Sequence, residues 1–238
     1  MVKENLIKSK STKTKTMKDL FKVISIEKKE THEWFKKKHY AKRVPQLVSC
    51  FGLYDKNNLL QGVLSFGLPA SRPLVKGAFK GKYQDDFLEL NRLCVNNNLG
   101  KNVLSFFVSQ SIKLLQKPKV LVSYADTSQG HTGYIYQATN WIYTGLSDTH
   151  KEWRIYGSNI HSKNVCKQFT LQERIENPDK FYFVERPRKH RYFYLNGNRN
   201  QKKDMKNNLA YNILPNPKGD NKKYDCSYNP SIQRILFV

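Results

Sequence analysis

The chain has 238 residues, of which 39% are hydrophobic and 13% aromatic, and its formal net charge is +23. This length suits one catalytic domain with appendages or two small domains, and the aromatic content excludes general disorder. Basic residues outnumber acidic ones by 14 to 5 in residues 1–50, by 10 to 6 in residues 51–150 and by 18 to 8 in residues 151–238. A nearly balanced middle between two basic flanks is typical of a core with polyanion-binding surfaces.

The charge has two explanations at this stage, a lysine-rich composition bias or nucleic-acid binding. We favour nucleic acid because tyrosines and arginines interleave in the C-terminal flank. No apolar run approaches the roughly 18 residues of a membrane span, and the N-terminus lacks the apolar core of a signal peptide. The spacing of the cysteines predicts neither a metal site nor a disulfide framework; they are Cys50, Cys94, Cys166 and Cys226. We therefore expect a cytoplasmic protein with reduced thiols and no membrane partner.

The first third of the chain is expected to hold an arm, a strand, a helix and a hairpin. Residues 1–17 are Lys, Ser and Thr with little to bury, which predicts a disordered basic arm. Alternation predicts a strand at Lys22–Glu27, and Thr31 is expected to cap a helix over Glu33–His39. Two apolar runs flanking a polar turn predict a hairpin with strands Val48–Tyr54 and Leu59–Phe66.

The rest of the pattern alternates strands and helices. The predicted order is strand, helix, strand, helix, strand, at Phe87–Val95, Val103–Leu115, Val120–Tyr124, Gly133–Thr139 and Trp141–Thr144. A strand–helix–strand unit joins parallel strands through a right-handed crossover, whereas the hairpin is antiparallel, so the sheet should be mixed. Two short aromatic strands follow, at Phe181–Val184 and Arg191–Leu195. We therefore expect an α/β (α+β) core over residues 18–150, and a basic extension over residues 151–238 that packs against it and binds nucleic acid.

The turn from Asn96 to Asn102 lies between a predicted strand and a predicted helix and reads Asn-Asn-Asn-Leu-Gly-Lys-Asn. Backbone amides at a helix N-terminus bind phosphate or carboxylate, Gly100 allows close approach, and Lys101 adds a cation. An ordinary turn that needs glycine only for its backbone geometry has the same sequence. These residues alone therefore leave anion binding open.

Polar side chains are predicted to converge at the ends of the central strands. The apolar strand Val120–Tyr124 runs into Asp126, and α/β proteins build sites where strands end in this way. Arg92 is costly to bury without a partner, so we expect it to pair with Asp126 from the neighbouring strand. A carboxylate beside an arginine is ionised at neutral pH and can act as a base or orient an amine, and His39 can shuttle a proton. The alternative is a salt bridge that only joins two strands.

Several short motifs carry a resemblance to known proteins. The order of elements, with a candidate ligand-binding turn after the fourth strand, resembles the GNAT N-acetyltransferase fold. More narrowly, the chain resembles the Mom family of bacteriophage DNA-modification proteins over about residues 30–225. The residues that carry this second resemblance are His39-Tyr40, Glu89-Leu-Asn-Arg-Leu93, Ser123-Tyr-Ala-Asp126, Gly130-His-Thr-Gly133, Ile135-Tyr-Gln-Ala-Thr-Asn-Trp-Ile-Tyr-Thr-Gly145, Lys189-His-Arg-Tyr-Phe-Tyr194 and Pro215-Asn-Pro-Lys-Gly-Asp220.

The resemblance implies transfer of a carbamoylmethyl-type group to the exocyclic N6 of adenine in DNA, a modification that shields phage DNA from restriction enzymes. It implies a catalytic set of His39, Tyr40, Arg92, Asp126 and Tyr136. It also implies a donor site formed by the fourth strand and the turn that follows, with Leu93, Val95, Leu99, Gly100, Lys101 and Asn102. The turn keeps one glycine where acetyl-CoA enzymes of this fold usually have two. The donor can therefore be acetyl-CoA or another activated two-carbon group, including an aminoacyl-tRNA.

Double-stranded DNA is the expected partner, because phosphates are bound by basic side chains. The candidate contacts lie near the predicted first helix and in the C-terminal flank; they are Lys36, Lys37, Lys38, Arg43, Arg186, Arg188, Lys189, Arg191 and Tyr192. Tyr40, Tyr124 and Tyr136 are candidates to stack on an extruded base, and Trp141 is expected in the core. Two other functions stay open: an N-acetyltransferase acting on a small amine or a protein, and an inactive nucleic-acid-binding module.

Overall fold

The computed structural model describes residues 16–158, 160, 162–220, 227–228 and 230, without the side chain of residue 163. Cys226 and residues 1–15 of the predicted basic arm lie outside the described residues. Nine strands are described: β1 Phe21–Ser25, β2 Ser49–Asp55, β3 Leu60–Gly67, β4 Phe87–Val95, β5 Lys119–Asp126, β6 Ile142–Leu146, β7 His150–Ile155, β8 Phe181–Arg186 and β9 Lys189–Asn196. Seven of them form one sheet in the order β1-β2-β3-β4-β5-β9-β6, and β7 pairs with β8. The α-helices are α1 Met17–Leu20, α2 Arg72–Gly77, α3 Val103–Leu114, α4 Tyr134–Ala138, α5 Ser162–Gln168, α6 Leu171–Glu176 and α7 Arg199–Asn208.

Helices cover both faces of the sheet because its central strands bury alternate residues on opposite sides. Leu121 of β5 and Tyr192 of β9 join a core with the apolar side of α3 and with α4. Val122 and Phe193, one residue further along each strand, join a second core with α2 and α7. The mixed sheet flanked by helices confirms the predicted fold class.

The pair β4 and β5 is parallel and short. Its register runs only from Phe87 opposite Val120 to Glu89 opposite Val122, although both strands continue well beyond this point. A bulge at Asn91 accompanies the divergence, since Ser65 of β3 lies opposite Arg92 whereas Phe66 lies opposite Leu90. Bulges bend a strand and redirect its side chains. The sheet therefore opens into a wedge between the second halves of β4 and β5.

The strand β9 lies between β5 and β6 and is antiparallel to both. It was predicted as a short strand of the C-terminal extension, outside the core at residues 18–150. Its register instead covers the whole of β5, from Lys119 opposite Asn196 to Asp126 opposite Lys189. Tyr192 and Phe193 are fully buried on opposite faces, which explains the aromatic composition of the segment. The sheet is therefore not contained within residues 18–150.

Two local features differ from the sequence prediction. The predicted helix over Glu33–His39 is a 3-10 turn at Lys28–Thr31 followed by a π-helical segment at Trp34–Lys38. Thr31 is buried inside this segment and does not cap it, because its hydroxyl donates to the Lys28 carbonyl. In addition, β7 and β8 form an arm with α5 and α6 that the weak pattern after Gly145 predicted only in part. Of the helices in the described ranges, none is long and apolar enough to cross a membrane.

Candidate active site

A cleft of about 1630 Å³ opens where β4 and β5 diverge. Its walls come from the end of the π-helical segment, the bulged half of β4, the turn before α3, α4 with the loop before it, and the base of the β7–β8 arm. Typical single-ligand pockets measure roughly 300–1,000 Å³. The cleft therefore has room for two reactants, such as a donor and an acceptor.

His39 and Tyr40 form a stacked pair on one wall of the cleft, with ring centroids 4.4 Å apart. The Ala41 amide donates to His39 Nδ1 at 3.1 Å, which places the proton of the neutral ring on Nε2. Burial, followed by the charges of Arg92, His131 and Lys42, lowers the pKa of His39 to about 3. At neutral pH His39 is an uncharged, weakly basic ring. This favours a role as a hydrogen-bond donor over the predicted proton shuttle.

Asp126 ends β5 at the rim of the wedge, where it is held by three hydrogen bonds. Lys189 Nζ, from β9, lies 2.7 Å from its carboxylate, and Ser128 donates through its hydroxyl at 2.6 Å and its amide at 3.1 Å. Burial acts to raise the pKa of Asp126, but the bonds from Lys189 and Ser128 outweigh it and the pKa is lowered. The predicted ion pair between Asp126 and Arg92 is wrong, because the two strands diverge before these positions and Lys189 takes the place of Arg92.

Arg92 follows the bulge on β4 and lines the cleft. The Asn91 side chain accepts from Ser65 at 2.6 Å and donates to the Gln46 carbonyl at 2.9 Å, which anchors the bulge. The Arg92 guanidinium donates to the Asn91 carbonyl at 2.6 Å. Its charge lowers the pKa of both His39 and Glu89. Arg92 therefore supplies the positive field at the centre of the cleft.

Glu89 lines the cleft at the last paired position of β4, and sequence reasoning did not select it as a site residue. Burial raises its pKa, opposed by a hydrogen bond with the Ala70 main chain and by the charges of Arg92 and Lys189. A carboxylate with a raised pKa is a better proton acceptor near neutrality than one with a lowered pKa. The available signal was a lone Glu in an apolar strand, three residues before Arg92.

The predicted aromatic residues divide between cleft and core. Tyr136 lines the cleft but is almost fully buried, and its hydroxyl is hydrogen-bonded to Ser123 at 2.7 Å. Burial raises the pKa of Tyr136 and of Tyr124, so both are neutral phenols. Trp141 packs in the core at 5.2 Å from the Tyr136 ring, as predicted. Tyr134 was not predicted; it lines the cleft with 69% of its surface exposed.

The end of β4 and the turn before α3 together bring all six predicted donor-site residues to the cleft: Leu93, Val95, Leu99, Gly100, Lys101 and Asn102. Gly100 has φ +94°, a conformation that glycine adopts without strain, and a β-carbon there would meet no atom within 4 Å. Asn102 precedes α3 with φ +66°, and within the described chain its side chain makes no capping hydrogen bond. The first amides of the twelve-residue helix α3 are thus available to an anion.

The candidate DNA contacts divide by exposure. Five are exposed: Lys36, Lys37, Arg43, Arg186 and Arg188. Of these, Lys37 pairs with Glu33 at 3.7 Å, Arg186 pairs with Glu152 at 3.6 Å, and Arg188 donates to the Ser147 carbonyl at 2.6 Å. Lys38 is buried and donates to the Tyr228 carbonyl at 2.7 Å, while the half-buried Lys189 pairs with Asp126. Arg191 is buried with its guanidinium 3.7 Å from the centre of the Tyr211 ring, and Tyr192 donates from the core to the Thr132 carbonyl at 2.6 Å. For Lys38, Arg191 and Tyr192 burial argues against the predicted phosphate contact: Lys38 is enclosed at the end of the π-helical segment, and β9 is an inner strand that is covered on both faces.

Comparison with solved structures finds acetyltransferases. The spermidine/spermine N-acetyltransferase SpeG from Vibrio cholerae is 9% identical, with a TM-score of 0.43 over 81% of this chain and 99% of its own. The acetyltransferase yncA from Salmonella typhimurium, solved with acetyl-CoA, is 9% identical, with a TM-score of 0.42 over 74% of this chain and 93% of its own. A search of curated protein sequences finds no match.

The mixed sheet, the wedge between β4 and β5 and the turn before α3 define an α/β protein with the architecture predicted from the GNAT resemblance. The model of the Mom protein family matches residues 20–218, which is most of the chain. The protein belongs to the Mom family, and the predicted resemblance is confirmed.

Proposed function

We propose that this protein is a transferase that modifies the exocyclic N6 of adenine in double-stranded DNA. The observation that carries the proposal is one cleft in which the uncapped N-terminus of α3 faces the cluster of His39, Tyr40, Glu89 and Arg92. Membership of the Mom family and the net charge of +23 support DNA as the polymer that carries the target adenine. A carbamoylmethyl-type product that protects phage DNA from restriction is the corresponding biological role.

The reaction requires an amine to attack an electrophilic carbon. The N6 lone pair is delocalised into the adenine ring, so the base must be held close and must lose a proton as the new bond forms. N6 bonds to the activated carbon of the donor, the bond from that carbon to its leaving group breaks, and one N6 proton passes to the protein. Glu89 is the proton acceptor, because burial raises its pKa whereas ion pairing lowers the pKa of Asp126.

The other polar groups position the reactants. Asp126, fixed by Lys189 and Ser128, presents a permanently ionised carboxylate that can accept a hydrogen bond from the target amine. His39 donates through Nε2, and the charge of Arg92 stabilises negative charge that develops on the electrophile. Tyr136 supports this arrangement from the core through its bond to Ser123.

The donor site suits a phosphate-bearing molecule. Acetyl-CoA and aminoacyl-tRNA both carry phosphates and an activated carbonyl. Attack of N6 on that carbonyl would expel the CoA thiolate or the tRNA hydroxyl and leave an N6-acyl adenine; a glycyl donor would give an isomer of carbamoylmethyl adenine, whereas an acetyl donor lacks the nitrogen of that group. The first amides of α3 and Lys101 would hold a phosphate, and the main chain at Gly100 borders open space where it can be approached. Leu93, Val95 and Leu99 give the same wall an apolar surface.

The target base must leave the duplex to reach a cleft of this kind, and extruded bases are held by aromatic rings. Tyr40 and Tyr124 line the cleft at intermediate exposure, and Tyr134 projects from the start of α4. The exposed phenol of Tyr134 is the best placed of the three to stack on a base that enters from solvent, because no packing must be broken.

The direct test is mass spectrometry of nucleosides from the DNA of cells that express the protein. We expect a deoxyadenosine with added mass in cells with the natural chain and a strongly reduced yield with Glu89→Gln, because general-base catalysis contributes about 10²–10⁴-fold to a rate. A matched control is Glu185→Gln, an exposed carboxylate on the β7–β8 arm, which should leave the yield unchanged. An unmodified adenine profile with soluble, folded protein would overturn the proposal.

A further inference from the structure

Eight exposed cations lie on two segments that contain none of the nine named candidate DNA contacts, although the second segment belongs to the extension that was predicted to bind nucleic acid. The first segment is residues 72–82, which comprises α2 and the turn after it, and the second is α7. Across both segments Asp204 is the single acidic residue. We call these eight residues the α2–α7 surface: Arg72, Lys76, Lys80, Lys82, Arg199, Lys202, Lys203 and Lys206.

The two segments are held side by side by specific contacts. The Ala210 amide, just after α7, donates to the Ala78 carbonyl at 2.8 Å. The Tyr83 hydroxyl donates to the Asp204 carboxylate, which also pairs with Lys82 at 3.4 Å. Met205 is fully buried in the core that α2 shares. The cations of both segments are therefore carried by two elements that are in direct contact.

The charge arrangement on α7 opposes the stability of the helix. Arg199 and Lys203 are four residues apart, as are Lys202 and Lys206, so like charges are neighbours on the helix surface. Each such pair destabilises a helix by roughly 0.2–0.5 kcal/mol. Met205 is the one buried residue among the ten residues of α7, so packing against the core does not explain why this helix carries four cations. A polyanion bound along the helix would relieve the repulsion.

The surface fits a phosphate backbone better than a protein. Within residues 72–82 and 199–208, no large hydrophobic side chain is exposed, and apolar patches are what mark protein interfaces. A ten-residue helix is about 15 Å long, which matches the rise of about four base pairs of duplex DNA. The four cations of α7 can therefore meet consecutive phosphates on one strand.

The α2–α7 surface also adjoins the cleft. Ser71, Pro73 and Leu74, at the start of α2, line the cleft wall, and Ala70 just before them is hydrogen-bonded to Glu89. The chain that leaves α7 places Tyr211 over Arg191 at the same wall. We infer that the α2–α7 surface binds the backbone of duplex DNA and delivers a nucleotide to the cleft. The choice of DNA as the polymer rests on the proposed function.

The test is the salt dependence of binding to a labelled DNA duplex of about two helical turns, measured by fluorescence anisotropy. The variant carries Arg199→Gln, Lys202→Gln, Lys203→Gln and Lys206→Gln. Each lost phosphate contact should reduce the slope of log K against log salt by about 0.9, so the loss of four contacts should reduce it by about 3.6 and weaken the affinity at 0.1 M salt by roughly 10³- to 10⁴-fold. The variant should melt no lower than the natural chain, because like-charge pairs are removed.

The matched control removes the same charge from other exposed positions: Lys18→Gln, Lys56→Gln, Lys113→Gln and Lys117→Gln. We expect it to keep most of the affinity and slope. Equal losses in both variants, or no loss in the α7 variant, would overturn the inference, as would binding to vesicles rich in phosphatidylserine without binding to DNA. The readout is binding, so it stands even where nucleoside mass spectrometry finds no modified adenine and the proposed function fails.

Discussion

Replacement of Glu89 by Gln is the sharpest test of the chemistry. The amide keeps the shape of the side chain and can still accept a hydrogen bond from the Ala70 main chain, but it takes no proton at neutral pH. General-base catalysis contributes about 10²–10⁴-fold to a rate. We therefore expect initial rates of adenine modification to fall by a factor in this range, measured by mass spectrometry of nucleosides, while DNA affinity stays within about twofold of the natural value.

The pH dependence gives a second, independent readout. Because burial raises the pKa of Glu89, the rate of the natural enzyme should fall on the acid side at a pH above the usual range of a glutamate. This limb should be absent from the residual activity of Glu89→Gln. The lowered pKa of Asp126 predicts an acid limb below the usual range for the alternative base. An acid limb below the usual range of an aspartate that survives in Glu89→Gln would assign the proton to Asp126.

Glu89→Gln also has a signed effect on stability. A carboxyl whose pKa is raised in the folded state binds more protons there than in the unfolded state at pH values between the two pKa values. The stability that the protonated carboxyl contributes is therefore lost as the pH rises through this range. The free energy of unfolding of Glu89→Gln at neutral pH should therefore equal or exceed that of the natural chain, measured by urea denaturation. A less stable variant with an unchanged rate would refute both the charge state and the role assigned to Glu89.

Three further predictions follow from the site and the core. Asp126→Ala should abolish modification while DNA affinity stays within a few-fold, and retained modification would show that Asp126 does not position the amine. The pKa of Asp126 is lowered, so its ion pair with Lys189 stabilises the fold at pH values above the unfolded-state pKa, and this stabilisation is lost as the pH falls through the folded-state pKa. In an acid titration, Asp126→Asn should therefore start from a lower free energy of unfolding at neutral pH than the natural chain. Gly133→Ala should lower the free energy of unfolding, measured by urea denaturation, by about 2–4 kcal/mol, because φ is +83° and the new β-carbon would lie 2.4 Å from the Tyr192 ring. The control is Gly81→Ala, where φ is +82° but no atom lies within 4 Å, and it should lower the free energy of unfolding by only about 1 kcal/mol. Equal effects of the two substitutions would show that the contact with Tyr192 does not matter.

Much of the sheet could be predicted because its strands carry strong local patterns. Phe87–Val95 was predicted with the observed bounds of β4, and α3 ends one residue earlier than expected. The hairpin of β2 and β3 was also predicted, since Asp55 organises a turn that its composition indicates: its carboxylate accepts from the Asn57 and Leu59 amides. Local signals of this kind need no knowledge of distant partners.

The prediction failed where the outcome depends on residues far apart in sequence. The divergence of β4 and β5 arises from the bulge at Asn91, whose side chain is anchored by Ser65 and Gln46, and no pattern within β4 reveals those partners. The partner of Asp126 is likewise Lys189, 63 positions away on a strand that lacks the polar alternation of a surface strand. Arg92 was the nearest cation in the predicted core, because the strand Arg191–Leu195 was predicted in the C-terminal extension and not beside β5.

The insertion of β9 changes how the site is built, because it joins the C-terminal flank to the chemistry. Lys189 begins β9 and fixes the carboxylate of Asp126, whereas Arg191, two residues further, stacks under Tyr211 at the cleft wall. The same strand continues into α7, which carries half of the α2–α7 surface. Two groups of basic residues in this flank therefore have different roles: those of β9 set the charge and packing of the cleft, whereas those of α7 face solvent. Neutralising the first group should change the rate and the pH profile, and neutralising the second should change DNA affinity and its salt dependence, because only the second can exchange counterions for phosphates.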